Sequence, residues 1–91
     1  MYTSDLRETS NPTLAQVEQV VRDILGDEDV GLTLDTATTD VEGWDSLANV
    51  SIIFSLEEVF GVRLGDEVVA GFETVGELVA MVDRARGRQQ S

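Results

Sequence analysis

Residues 46–60 limit the possible folds of this chain more than any other stretch, because their apolar side chains recur at helical spacing on two stripes rather than one. The first stripe comprises Ile52, Ile53, Leu56 and Phe60, and the second comprises Leu47, Val50 and Phe54, with Glu57 and Glu58 nearby. A helix that is apolar over so much of its circumference is either central in a bundle or keeps one stripe for a partner. The pattern alone leaves both possibilities open.

The size and residue content of the chain agree with a small helical domain. At 91 residues the chain is long enough for one modest core and not for two. Aromatic residues make up only 5% of the sequence, so the core must consist mainly of Val, Leu and Ile. That composition favours helices packed on one another.

Several classes of function are excluded by residue types that the chain lacks. It has no cysteine and no histidine, which removes thiol chemistry, imidazole bases and the commonest transition-metal ligands. Its formal net charge of −12 would repel nucleic acid and anionic membranes. We therefore expect a protein that is not an enzyme, that holds no metal, and whose partners carry basic patches.

Start and stop signals predict three further helices. Asn11 suits an N-cap and Pro12 a first helical position, and the helix that they open should stop at Gly26. A short helix is predicted at residues 66–70, and the last one begins at the capping box Thr74-Val75-Gly76-Glu77. The predicted fold is therefore all-α, a four-helix bundle with three longer helices and a short third one.

The two ends of the chain are polar and show no apolar period. We expect residues 1–11 to form a flexible arm and residues 86–91 a flexible tail on a domain that spans residues 12–85. No apolar run is long enough to span a membrane, and the N-terminal residues lack the apolar core of a secretory signal. The sequence thus predicts a cytoplasmic protein, and we expect a monomer.

Between the first two long helices, residues 26–44 lose the helical period and gather Gly, Asp and Thr. The segment is predicted to be a long, packed loop, because the spacing of three apolar residues would let them anchor it on the core. These residues are Leu32, Leu34 and Val41. Loops of this length in compact domains are often functional, and this one leads to Ser46.

Asp45 and Ser46 stand at the start of the predicted second helix. Either side-chain oxygen can accept a hydrogen bond from a first-turn N–H group, and a phosphate ester would also be stabilised there. Ser46 is not predicted to be a hydrolase nucleophile, because no histidine is present to accept its proton. An arbitrary Asp-Ser pair in this position would be a helix cap and no more.

Three motifs in sequence give this pair a further meaning. The motifs follow one another at the spacing found in acyl carrier proteins. They are Gly43-Trp44-Asp45-Ser46-Leu47, Leu56-Glu57-Glu58-Val59-Phe60-Gly61-Val62 and Thr74-Val75-Gly76-Glu77-Leu78. The chain resembles that family over about residues 12–84. The first motif alone is weak, but the three together are specific.

The resemblance implies that a phosphopantetheinyl transferase uses coenzyme A to attach 4′-phosphopantetheine to the hydroxyl of Ser46. The terminal thiol of that group would carry acyl units, and Asp45 would lie close to the Mg²⁺ of the transferase. The resemblance also makes the second stripe of the helix, Leu47, Val50 and Phe54, the surface that docks onto partner enzymes, together with Glu57 and Glu58. Those partners would be acyl-loading and acyl-processing enzymes of the ketosynthase, acyltransferase or ligase type.

The chain departs from carriers that serve fatty acid synthesis, which place further acids along this helix. It has neutral residues there instead, namely Ala48, Asn49, Ser51 and Ser55. We therefore expect weaker electrostatic docking through this helix. The Trp44-Asp45-Ser46-Leu47 variant looks more like free-standing carriers that assemble polyketides or handle unusual acyl units.

Two alternatives remain open at this point. One is a peptidyl or aminoacyl carrier of nonribosomal peptide assembly, although the double glycine common before the serine in those carriers is absent. The other is an unmodified acidic interaction module in which Ser46 serves only as a cap. Trp44 is either the last anchor of the loop on the bundle or a contact for the prosthetic arm or a partner.

Overall fold

The computed structural model describes residues 11–65 and 71–90, the last three of these by their backbone alone. Within this part of the chain the α-helices are α1 (Pro12–Leu25), α2 (Ser46–Phe60) and α3 (Val75–Gln90), with a 3-10 turn at Thr38–Asp40. The prediction of an all-α fold is confirmed. The short helix predicted at 66–70 lies outside the described residues, so the count of four helices stays a prediction.

The predicted helix limits hold at both ends of α1 and at the end of α2. Asn11 caps α1 because its side-chain oxygen accepts a hydrogen bond from the backbone N–H of Leu14 at 3.0 Å. Gly26 and Gly61 end the two helices with φ of 67° and 66°, in the left-handed region that glycine enters without steric cost.

The core lies between the three helices. α1 packs against both other helices, and α2 also touches α3. Each helix turns an apolar stripe inward, and the connector after α2 adds two side chains. The buried residues are Leu14, Val17, Val20 and Val21 of α1; Ile52, Ile53 and Leu56 of α2; Val75, Leu78, Val79, Met81, Val82 and Ala85 of α3; and Leu32, Val62 and Leu64 of the connections.

α3 begins as predicted but runs further than predicted. The Thr74 hydroxyl accepts from the Glu77 N–H at 3.2 Å, and the Glu77 carboxylate reaches back to the N–H of Glu73 at 2.7 Å. At its other end α3 continues to Gln90, through residues that the sequence assigned to a tail. The predicted boundaries of arm, domain and tail are otherwise not tested by the described residues.

Arg86, the first residue that the sequence assigned to the tail, contacts the other two helices. Its guanidinium lies 5.2 Å from the centroid of the Phe60 ring and donates a hydrogen bond to the Thr13 hydroxyl at 3.3 Å. The same hydroxyl donates to Asp83 at 2.6 Å. Arg86 is thus held by α1 and α2 together, and polar composition alone could not show these contacts.

The loop between α1 and α2 is packed, as predicted, but one of its three expected anchors is wrong. Leu32 is buried and Val41 is half-buried against the core, whereas the side chain of Leu34 is exposed. Leu34 contributes its backbone instead, because its carbonyl accepts from the Gly76 N–H at 2.9 Å. A Cβ at Gly76 would lie 2.6 Å from that carbonyl oxygen, so the contact requires glycine.

Further bonds to the loop come from polar side chains of α1 and from the backbone before α3. Glu18 accepts from the Leu32 N–H at 2.9 Å, and Arg22 donates to the Val30 carbonyl at 2.7 Å. Residues 36–38 form backbone hydrogen bonds with residues 73–75, including an isolated antiparallel bridge between Ala37 and Thr74. These bonds fix the loop that leads to the start of α2.

Candidate functional site

Asp45 is the N-cap of α2. Its backbone is extended, its Oδ1 accepts from the Ala48 N–H at 2.9 Å, and its carbonyl accepts from the Asn49 N–H at 2.8 Å. The sequence left the capping role open between Asp45 and Ser46. The structure gives it to Asp45, and Ser46 becomes the first residue of the helix.

Ser46 is exposed, and its hydroxyl makes no hydrogen bond with any residue that the structure describes. A serine that served only as a cap would accept a hydrogen bond from a first-turn N–H group, and here Asp45 accepts that bond. The hydroxyl therefore stands at the positive end of the α2 dipole without a structural task. Such a position accepts a negatively charged ester favourably.

Trp44 anchors the end of the loop next to this hydroxyl. Its ring is half-buried against the core, and its indole N–H donates to the side-chain oxygen of Asn49 at 2.9 Å. Just before it, Gly43 has a φ of 92°, which few other residues adopt. Of the two roles that the sequence suggested for Trp44, the structure shows the loop anchor. Nothing in the sequence pattern pairs Trp44 with Asn49, so the bond was not predicted.

A shallow depression lies beside Ser46, between the loop, the first turn of α2 and the segment before α3. Its lining includes aromatic residues as well as hydrogen-bonding groups. The residues that line it are Thr38, Trp44, Asp45, Ser46, Asn49, Gly71 and Phe72.

The two apolar stripes of α2 have different surroundings. Ile52, Ile53 and Leu56 are buried and Phe60 is half-buried, as predicted for the core stripe. The members of the second stripe are exposed: Leu47 by 81%, Val50 by 51% and Phe54 by 65%. The possibility that both stripes belong to the core is therefore excluded.

The two glutamates that follow this stripe also differ. Glu57 is half-buried, and its carboxylate accepts from the Leu64 N–H at 2.7 Å, so it holds the connector after α2. Glu58 is exposed. Val59, which the sequence placed in neither stripe, is 50% exposed on another side of the helix.

The part of the chain that the structure describes contains no group of three acidic side chains that could hold a metal ion. None of its helices has the length and apolar content needed to cross a membrane.

Comparison with known proteins identifies the family. The family model of the phosphopantetheine attachment site matches residues 15–82. The chain belongs to the acyl carrier protein family. The carrier is 34% identical over 76 residues to an acyl carrier protein of Rhodococcus erythropolis, which covers 84% of each chain. It is 30% identical to the meromycolate extension acyl carrier protein of Mycobacterium tuberculosis, over 84% of the carrier and 66% of that protein.

A solved structure agrees with this assignment. The solution structure of a holo acyl carrier protein from Geobacter metallireducens superposes with a TM-score of 0.78 at 29% identity, covering 87% of the carrier and 91% of that chain. The cofactor of the carrier is covalently attached 4′-phosphopantetheine. The residues around Ser46 fit such a group, because an exposed hydroxyl that bonds to none of the described residues stands at a helix N-terminus beside an open depression.

Proposed function

We propose that this carrier tethers acyl intermediates as thioesters on 4′-phosphopantetheine attached to Ser46 and presents them to biosynthetic enzymes. The single observation that supports Ser46 is its exposed hydroxyl, free of hydrogen bonds to the described residues, at the first position of α2. The prosthetic group supplies a thiol, which the chain lacks because it has no cysteine. In this proposal the chain carries and orients the cargo and is not an enzyme.

Attachment requires a phosphopantetheinyl transferase. A bond forms between Ser46 Oγ and the phosphorus of coenzyme A that bears the pantetheine. The bond from that phosphorus to the bridging oxygen of the pyrophosphate breaks, adenosine 3′,5′-bisphosphate leaves, and the hydroxyl proton passes to a base of the transferase. Asp45 has one carboxylate oxygen in the helix cap, which leaves the other for the Mg²⁺ of the transferase. The positive end of α2 stabilises the resulting phosphodiester.

The attachment site can be tested by mass spectrometry. The apo protein is incubated with coenzyme A, Mg²⁺ and a promiscuous phosphopantetheinyl transferase, and its intact mass is measured. We expect one adduct on the wild type and none on Ser46→Ala. Ser51→Ala is the matched control, because Ser51 is an exposed serine of the same helix. An adduct on Ser46→Ala, or none on the wild type, would contradict the proposal.

Two substitutions of Asp45 separate its capping role from its role toward the transferase. Asn keeps a side-chain oxygen for the Ala48 N–H but has no charge, whereas Ala loses both. We expect Asp45→Asn to lower kcat/KM for modification at unchanged stability, and Asp45→Ala in addition to lose about 1 kcal/mol of unfolding free energy. If Asp45→Asn is modified as fast as the wild type, the Asp45 carboxylate does not interact with the Mg²⁺ of the transferase.

We further propose that the exposed stripe of Leu47, Val50 and Phe54, with Glu58 at its end, docks onto partner enzymes. The stripe places large apolar side chains in solvent on the helix that begins at Ser46, which is typical of a surface that awaits a partner. Glu57 should contribute less than the sequence suggested, because its carboxylate already bonds to the Leu64 N–H. The expected partners are ketosynthase, acyltransferase or ligase enzymes.

The pathway that we propose is polyketide or other specialised metabolism. The support is the neutral middle of α2, where Ala48, Asn49, Ser51 and Ser55 stand. One relative is named for meromycolate extension and others simply as acyl carrier proteins, so the names leave the cargo open. Loading assays with a fatty acid ketosynthase, a polyketide ketosynthase and an aminoacyl-adenylating enzyme would decide, and preferred aminoacyl loading would favour a peptidyl carrier instead.

A further inference from the structure

The side chain of Asn49 is held in one orientation beside Ser46. Its carboxamide oxygen accepts the indole N–H of Trp44 at 2.9 Å, and only the oxygen of a carboxamide can accept. The NH₂ group must therefore point away from the indole. It donates to no residue that the structure describes.

This NH₂ group is close to the attachment point. Asn49 follows Ser46 by three positions in α2, and residues at that spacing are neighbours on one helix face, with about 5–6 Å between their Cβ atoms. Both side chains line the depression described above. Asn49 is half-buried there, so its position is restricted while its donors stay accessible.

We propose that the Asn49 carboxamide donates a hydrogen bond to a phosphodiester oxygen at Ser46, and that Trp44 is the positioning residue that aims it. The inference rests on Ser46 as the attachment site. A hydrogen bond to an ionised oxygen is stronger than one between neutral groups. Because Trp44 fixes the carboxamide beforehand, less side-chain entropy is lost when the bond forms. The bond holds the root of the prosthetic arm in the depression.

Asparagine labelling gives a direct test, because the chain has only two asparagines, Asn11 and Asn49. Protein labelled with ¹⁵N in asparagine is prepared in the apo form and, with coenzyme A and transferase, in the holo form. We expect one Asn49 NH₂ proton to move downfield on modification and to become less sensitive to temperature. The Asn11 NH₂ signals serve as the internal reference, since Asn11 caps α1, and should not move.

The variants Trp44→Phe and Asn49→Asp complete the test. Phe keeps an apolar ring but loses the indole N–H, so the Asn49 response should shrink. Asp keeps an acceptor for Trp44 but loses the donor, so the indole N–H signal should keep the downfield position of a hydrogen-bonded proton or move further downfield, while the holo ³¹P resonance shifts from its wild-type position.

Each outcome bears on one claim. A holo form whose Asn49 signals match the apo form, or a ³¹P resonance identical in wild type and Asn49→Asp, would overturn the bond. An equal Asn49 response in Trp44→Phe would overturn the positioning role of Trp44. If the wild type gains no mass, the attachment at Ser46 fails instead. The comparison of apo and holo wild type needs no substitution, so it stands even if a variant does not fold.

Discussion

The two apolar stripes of α2 contain the same kinds of residue and lie in opposite environments. One contributes Ile52, Ile53 and Leu56 to the core, and the other leaves Leu47, Val50 and Phe54 in solvent. Burial of the first stripe stabilises the fold, whereas the second, whose side chains stay half or more exposed, gains much less from folding. An apolar residue on a helix therefore does not reveal by its type whether it serves stability or recognition.

Matched truncations on the two stripes should differ most in stability. Leu56→Ala removes a fully buried side chain and should lower the unfolding free energy by about 2–5 kcal/mol. Phe54→Ala removes an exposed ring and should change it by less than about 0.5 kcal/mol. Urea unfolding followed by circular dichroism measures both. A comparable loss in the two variants would abolish the distinction between the stripes.

The effect of truncation on recognition by partner enzymes should be larger for the outer stripe, the reverse of its effect on stability. If the outer stripe docks onto partners, Phe54→Ala should raise the KM of a ketosynthase for the loaded carrier about tenfold, as expected for an aromatic anchor worth about 1.4 kcal/mol. Val59→Ala is the control, because Val59 is also half exposed but lies on another side of α2. Equal KM values for the two variants would show that Phe54 is not part of the interface.

The two adjacent glutamates extend the comparison to charged groups. Glu57→Ala should cost about 1 kcal/mol of stability, because the Leu64 N–H loses a charged acceptor, with the partial exposure of Glu57 reducing the effect. Glu58→Ala should be neutral within about 0.5 kcal/mol. Glu57→Gln keeps an acceptor and should recover part of the loss. Thermal melts that rank Glu58→Ala as the more damaging change would refute this assignment.

The smallest effect should come from salt. With a net charge of −12, self-repulsion destabilises the folded carrier, and moderate salt screens it. We expect a modest rise in Tm with added NaCl. The rise should be nearly the same in Phe54→Ala, because that residue is uncharged. A Tm independent of salt would show that the negative charges are too far apart to repel one another appreciably.

The sequence was a reliable guide wherever local chemistry decides. Pro12, Gly26 and Gly61 act through backbone conformation alone, so the limits of α1 and the end of α2 were correctly predicted. The helical period likewise separated the two stripes of α2, and the three motifs led to the right family. It was wrong for the side chain of Leu34, which is exposed while its backbone carbonyl makes the contact with Gly76. It also gave no sign of the contacts of Arg86 with Phe60 and Thr13.

By itself, the sequence determined that this chain folds as packed helices, that a serine stands at the start of the second one, and that the protein belongs with the acyl carriers. Local propensity, periodicity and motif spacing are properties of the chain alone. Only the tertiary structure decided which stripe of α2 is core, that Asp45 rather than Ser46 caps the helix, and that Trp44 holds Asn49. The burial of a stripe depends on which surface of α2 the other helices cover, and residues distant in sequence determine that together. The cap and the bond between Trp44 and Asn49 depend on the backbone path by which the packed loop enters α2.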